Sequence, residues 1–272
     1  MASLIDKECF RLGLILAGMP IDTVVKESGD YTKIFHAFLA ASLKSLEGEL
    51  SRTLPRLELV SYKAFGDDRQ LPSRDNTDNI DGYMITGSAS DAYANIPWIN
   101  ELVDFIGYTL NKPDAPKVVG VCFGHQVLAR ALDDKSVVCN PLGWEVGPTV
   151  FKLTEVGKRV FEFSKDDMSI QQMHRDHVIS IPKGFANLGS TSISQVQGLY
   201  NKEKAISVQG HPEFTEDIVS KMCSRRLDLG IFTPKQYEEI LSRIHNPHDG
   251  MKIGVTFWKF FFSMLPTTDG LN

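Results

Sequence analysis

The sequence predicts an α/β fold, a largely parallel central sheet with helices on both faces plus a small antiparallel sheet. Three observations predict it. Up to Leu132, apolar strand patterns alternate with helical spacing, the order that builds a parallel sheet. Val118-Val119-Gly120-Val121 is an apolar, β-branched run of the kind buried on both faces. After Leu132 the pattern changes to short strands joined by turns, which predicts mostly antiparallel pairing.

The elements follow in order. Arg11–Ala17 is an apolar first strand. Asp30 can cap a helix running through Leu46, in which Ile34, Phe35, Phe38 and Leu39 share one face. Leu57–Phe65 is a second strand. The polar loop Gly66–Asn79 is expected to be mobile and to border the site. Gly82–Thr86 is a third strand ending in Gly87-Ser88. Pro97 opens a helix to about Leu110, a favoured first-turn position for proline. The strand through Val121 and a helix over Gly124–Leu132 come next. Short strands are expected at Ser136–Cys139, Gly147–Leu153, Ser169–His174, His177–Ile181, Gln195–Tyr200 and Lys204–Gln209. The remainder, about residues 214–265, reads as a helical carboxyl-terminal extension: Thr215–Leu229, Pro234–Arg243 and Gly250–Leu265. No linker rich in Pro, Gly or Ser interrupts the chain, so residues 1–272 are taken as one domain.

Composition bounds the function. The 272 residues carry a net charge of −5, which argues against a broad nucleic-acid or anionic-membrane surface. Cys9, Cys122, Cys139 and Cys223 are scattered, with no Cys-x-x-Cys pair to suggest zinc or a disulfide framework. The apolar stretches near Leu12–Ala17 and Gly254–Leu265 are too short to span a bilayer. A soluble, cytoplasmic protein is expected.

The chemistry gathers around Cys122. It stands where a buried strand turns sharply into a helix, with Gly120 two places before and Gly124 two after. That is the nucleophile-elbow arrangement with Cys in place of Ser. A Cβ at either glycine would collide where strand and helix backbones meet. The helix amino end favours a thiolate through its unpaired N–H groups and dipole. Taken alone, a cysteine at the end of a strand is more often a buried core residue than a nucleophile. A nucleophilic cysteine also needs a base, and the base an orienting group. His211 and Glu213 supply both types two residues apart, where an extended segment points them to one side. The N–H of Phe123 and that of Gly87 or Ser88 could form an oxyanion hole.

Gly120-Val121-Cys122-Phe123-Gly124-His125-Gln126 together with Gly210-His211-Pro212-Glu213 resembles the class I (triad-type) glutamine amidotransferases. Thr86-Gly87-Ser88 looks like their oxyanion strand, and Gly143-Trp144-Glu145-Val146-Gly147 is similar to a Gly-x-Glu-x-Gly segment common there. The resemblance implies a flavodoxin-like fold and γ-glutamyl thioester chemistry. In it Cys122 is the nucleophile, His211 base then acid, and Glu213 its orienting carboxylate. No metal or organic cofactor is implied. Gln126 matches a position that contacts the glutamine substrate, and His125 a position beside the nucleophile that is not the catalytic histidine.

One departure stands out. Many of these enzymes carry a Ser-His-Gly-Asp type turn whose backbone helps hold the substrate's amino and carboxylate groups. Here the turn reads Met173-His174-Arg175-Asp176, with Arg175 replacing the glycine. The plant γ-glutamyl peptidases, stand-alone members of the superfamily, carry a similar His-Arg-Asp turn. Arg175 either pairs with a peptide carboxylate at the pocket rim or forms a surface ion pair with Asp176 or a neighbour. Three readings follow. The first is a glutamine amidase that supplies ammonia to a separate synthase subunit, since no Gly-x-x-x-x-Gly-Lys-Ser/Thr nucleotide loop is present. The second is a self-sufficient peptidase of glutathione-like γ-glutamyl peptides. The third is a non-catalytic binding or regulatory protein, which would have no need of the intact triad. Phe257, Phe260, Phe261 and Leu265 are expected to pack in the core.

Overall fold

The computed structural model describes residues 3–266. After a short 3-10 turn at Leu4–Asp6, β1 (Cys9–Leu16), α1 (Asp22–Ser28) and α2 (Tyr31–Leu50) lead to β2 (Arg56–Lys63) and β3 (Gly82–Ile85). Then come α3 (Pro97–Asn111), β4 (Lys117–Val121), α4 (Phe123–Leu132), β5 (Val137–Cys139) and β6 (Glu145–Leu153). These are followed by α5 (Glu155–Phe161), β7 (Asp167–His174), β8 (Asp176–Val178), β9 (Ala186–Asn187) and β10 (Gly189–Ser190). The chain closes with β11 (Gly198–Asn201), β12 (Ala205–Val208), α6 (Glu216–Asp228), α7 (Pro234–Arg243) and α8 (Gly250–Phe261).

The central sheet has the order β2-β1-β3-β4-β12-β11-β9. Its first five strands are mutually parallel, β11 runs antiparallel to them, and β9 runs antiparallel to β11. The first four follow the 2-1-3-4 order of doubly wound sheets, and β12 takes the fifth place. The mostly antiparallel pairing expected after Leu132 is found in every described pair among β5–β12. The parallel pairing of β12 with β4 is the exception among the described residues, and the strand pattern at 204–209 could not reveal it, because a sequence pattern carries no information about the neighbour. The remaining strands form two small antiparallel sheets, β10-β6-β7 and β5-β8.

Side-chain alternation assigns the two faces. Met84 and Val119 point into the core that includes α2, α8 and β6–β7, while Tyr83, Ile85 and Val118 pack with α3 and α4. Asp30 caps α2, accepting from the Lys33 N–H, as expected. The carboxyl-terminal helix is central to the first core. Phe257, Phe260 and Phe261 are buried, and the Trp258 indole donates to the Leu39 carbonyl at 3.0 Å. Gly254 lies so close to α2 that a Cβ would meet Phe38 and Ser42 at 2.7 Å. The helix ends at Phe261, short of Leu265, and Ser263 has a positive φ of 59°.

The loop 66–79 behaves differently from expectation. It is tied back along the sheet rather than to the site: Arg69 pairs with Glu101 at 2.7 Å, Arg74 with Asp104 at 2.7 Å, and the Tyr62 hydroxyl donates to Asp78. Its charges are spent on α3 and the sheet edge. No described helix is long and apolar enough to cross a membrane.

Candidate active site

Parallel neighbours end together, and that is what assembles the site. β4 and β12 run side by side with Val121 opposite Val208, and the Cys122 N–H bonds the Val208 carbonyl at 3.0 Å. Cys122 therefore leaves β4 just where Gln209, Gly210 and His211 leave β12. Cys122 has φ 52° and ψ −104°, a conformation costly to a non-glycine residue by about 1–3 kcal/mol. The flanking glycines permit it. A Cβ on Gly120 would meet the Gly124 carbonyl at 2.6 Å, and one on Gly124 would meet the Ile85 carbonyl of β3 at 2.4 Å.

His211 is fixed from several sides. Its N–H bonds the Gln171 carbonyl of β7 at 2.7 Å, and its ring stacks on Phe214 at 3.9 Å. Gly210 is required there, because a Cβ would strike Ile170 at 2.7 Å. The His211 Nδ1 lies 2.8 Å from Glu213 Oε1, which leaves the other nitrogen for Cys122. The pair meets through a turn, closed by the Phe214 N–H to the His211 carbonyl, rather than through extended chain as the i, i+2 argument assumed. Burial opposes charging of the imidazole, but the Cys122 sulfur and the Glu213 carboxylate outweigh it and push its pKa up to about 10.

Gly87 packs directly on this ring: a Cβ there would stand 2.7 Å from His211 Cε1. Thr86 secures the turn, accepting from the Ala17 N–H and donating to the Gly87 carbonyl. Among the described residues, the N–H groups of Gly87, Ser88 and Phe123 donate to no protein acceptor. The Ser88 hydroxyl accepts from the Ser90 N–H at 3.1 Å, and the Phe123 ring is buried on Trp98. Only the backbone of Phe123 can face a ligand.

A cavity of about 490 Å³ opens above the sulfur, lined by Ser88, Cys122, Gln126 and the turn His174-Arg175-Asp176. His211 and Glu213 are buried beside it. Three larger hollows among the described residues, of about 830, 630 and 550 Å³, lie elsewhere: at the amino ends of the strands around Lys117, between α1 and α6, and along α3 around Tyr108. None contains Cys122, and the chemistry favours the smaller cavity.

The substrate-binding candidates divide. Gln126 lines the cavity, but its amide nitrogen is committed to the Asp176 carbonyl at 2.9 Å and to Gln209 Oε1 at 3.2 Å. His174 has both ring nitrogens engaged, with Glu145 at 2.9 Å and the Asp176 carbonyl at 2.9 Å. Its ring braces the turn and has no nitrogen left for a ligand, so a binding role for His174 falls to its backbone. Arg175 is exposed at the rim, and no carboxylate among the described residues lies within ion-pair distance of it. The surface-pair alternative is thus not adopted. Asp176 lies within hydrogen-bond reach of Asp91. Burial and that neighbour push its carboxyl up to about 6. His125 is fully buried on Ser207, and burial drives its pKa down to about 3, so it stays neutral.

Sequence reasoning missed four neighbours. Gln209 directs its amide at Cys122 Sγ from 3.7 Å; its place at the end of β12 was the available signal. Tyr31 is buried close enough to feel both Glu213 and Cys122, and burial raises its phenol. Asp91 and Arg226 also face the cavity. Nothing in the local sequence marks Tyr31 or Arg226. No cluster of three or more His, Cys, Asp or Glu suited to a metal occurs among the described residues.

Comparison with known proteins gives a consistent pattern. The family model described as glutamine amidotransferase class-I matches residues 43–223. A glutamine amidotransferase-like protein of Schizosaccharomyces pombe is 34% identical over 92% of this chain and 98% of its own length. Gamma-glutamyl peptidase 4 of Arabidopsis thaliana is 31% identical over 79% of this chain and 80% of its own. The crystal structure of a glutamine amidotransferase from Thermotoga maritima superposes with a TM-score of 0.65, covering 94% of this chain and 99% of that one at 16% identity. The last of these speaks to the fold alone.

Proposed function

Because the chain belongs to the class I glutamine amidotransferase family, we propose that it hydrolyses γ-glutamyl amide bonds through a cysteine thioester. One observation carries this reading: a cysteine on a positive-φ elbow faces a buried histidine whose far nitrogen is held by a buried glutamate.

The chemistry follows from the geometry. Cys122 as thiolate attacks the γ-carbonyl carbon, and the carbonyl electrons move to oxygen. The N–H groups of Phe123 and of Gly87 or Ser88, which have no protein acceptor, would hold that oxyanion. Protonated His211 gives its proton to the leaving nitrogen as the C–N bond breaks, leaving a γ-glutamyl thioester. Water then loses a proton to His211 and attacks the thioester carbon. Collapse releases glutamate and restores the thiolate. Glu213 keeps the ring in the orientation and tautomer both steps need.

Glutamine is the simplest substrate, its ammonia then passing to a separate synthase subunit. The second reading, cleavage of glutathione-like γ-glutamyl peptides without a partner, is supported by Arg175 standing unpaired at the rim and by the similarity to a γ-glutamyl peptidase. The test is glutamate release by the purified protein from glutamine and from glutathione, with Cys122→Ala alongside. Replacement of the nucleophile is expected to lower kcat by at least about a thousandfold. Equal activity in Cys122→Ala would remove the thiol mechanism.

A further inference from the structure

The cavity is polarised. One side carries Asp91 and Asp176 with Arg175, a mixture that complements the ammonium and carboxylate of an amino-acid head group. The other side is a cationic and aromatic wall, built by α6, the residues after it and Trp144 before β6. There Arg225 and Arg226 line the cavity next to Trp144, Leu229 and Ile231. Such a wall complements an anion that brings no ammonium with it.

Arg226 is the more telling of the two. It is half-buried, with its guanidinium 5.0 Å from the centre of the Trp144 ring. Its Nε is enclosed with no hydrogen-bond partner among the described residues, and its Nη1 reaches only the Met222 carbonyl, at 3.5 Å. The ionisable groups acting on it are Cys223, Cys122 and Tyr31, and none is a carboxylate. A secluded cation without a counter-ion is costly unless a ligand supplies one. The planar fork of arginine matches a carboxylate with two parallel hydrogen bonds. It lines the same cavity as Cys122, on the opposite wall from Asp91 and Asp176, where a leaving group would lie if the glutamyl head sits on the acidic side.

We propose that Arg226, assisted by Arg225, determines specificity by receiving a carboxylate on the leaving group. The preferred substrate is then a γ-glutamyl amino acid or peptide with a free carboxylate, rather than glutamine. This rests on the γ-glutamyl hydrolase reading above. The cavity of about 490 Å³ leaves room for such a leaving group beyond the glutamyl head.

The test compares γ-glutamylglycine with γ-glutamylglycinamide, which differ only in carboxylate against carboxamide, with glutamine as the third substrate. Glutamate release by the wild-type chain is expected to favour the carboxylate by about tenfold or more in kcat/KM, as a charge-assisted pair allows. Arg226→Met should bring that ratio towards one, mainly through KM, and Arg226→Lys should restore part of it. A wild-type ratio near one would overturn the proposal, and so would an equal loss on both substrates in Arg226→Met, which would make Arg226 a support for the sulfur or the fold. The wild-type ratio decides even if the methionine variant does not fold. Failure to turn over any of the three substrates would reject the γ-glutamyl reading itself, and the assignment of Arg226 with it.

Discussion

Two buried histidine–glutamate pairs stand near the cavity, one just after β12 and the other joining the end of β7 to the start of β6, and they are built for different tasks. In His211–Glu213 the carboxylate holds Nδ1 at 2.8 Å, and the other ring nitrogen is left for Cys122. Glu213 Oε2 has no hydrogen-bond partner among the described residues. In His174–Glu145 both ring nitrogens are taken, and Glu145 Oε2 is shared with the Gln197 amide at 2.8 Å. The first pair is a relay with one open end. The second is a closed brace joining β6 to β7, where Glu145 and His174 stand opposite each other. Burial and residue type are the same in both. What separates them is whether a nitrogen remains unspent and what it faces. His125 makes the same point from another side: its Nε2 has no partner, yet it faces no nucleophile and burial keeps the ring neutral.

The sharpest way to break this comparison is to remove the open nitrogen. His211→Gln is expected to cost about a thousandfold or more in kcat per folded molecule, read by glutamate release against active-site titration. A smaller loss is expected from Glu213→Gln, about a hundredfold, because the ring stays near Cys122 but loses its orienting charge. That variant also tests the electrostatics. The carboxylate favours the protonated ring, whose pKa is pushed up to about 10. If His211 must carry the proton that goes to the leaving nitrogen, activity falls as pH rises through that value. Without the carboxylate the alkaline limb of the kcat/KM profile should move to lower pH. An unmoved limb would mean that Glu213 does no more for His211 than Glu145 does for His174.

Much of the relay was legible in the sequence, and most of the brace was not. The elbow declared itself because Gly120, Cys122 and Gly124 combine a steric demand with a strand-to-helix change of period. His211 and Glu213 are close in sequence, so their meeting needed no knowledge of the fold. Caps and prolines placed α2, α3 and α7 for similar local reasons. What depended on distant partners stayed hidden. Glu145 lay within a recognised segment and His174 was assigned to substrate, but only the β6–β7 register reveals that they bind each other. The parallel pairing of β12 with β4 is of the same kind, as is the arrival of Arg226 at the cavity from α6. Short helices were missed for want of a signal: α1 starts at Asp22 after Ile21, with no side-chain cap, and buries Val24 alone. The Thr154 cap of α5 was there to be read.

The smallest effect on activity should come from the brace, and it should appear as stability instead. Glu145→Gln leaves His174 and Gln197 facing an amide where both had a carboxylate oxygen, so one buried donor or acceptor goes unmatched. That costs about 1–3 kcal/mol, read as a lower urea midpoint at unchanged slope. The activity of the molecules that remain folded should fall less than about tenfold, because neither group presents a free nitrogen to the cavity. The pH dependence has a definite sign. Burial opposes the Glu145 carboxylate, but His174, Thr191 and Gln197 outweigh it and hold its pKa below 4.5. Its contribution is therefore present above that value and lost as pH falls through the lower, folded-state one, so the stability gap between wild type and Glu145→Gln should close in acid. If Glu145→Gln instead lost as much activity as Glu213→Gln at full stability, His174 would have to act on the substrate despite its two engaged nitrogens. The distinction between open relay and closed brace would then fail.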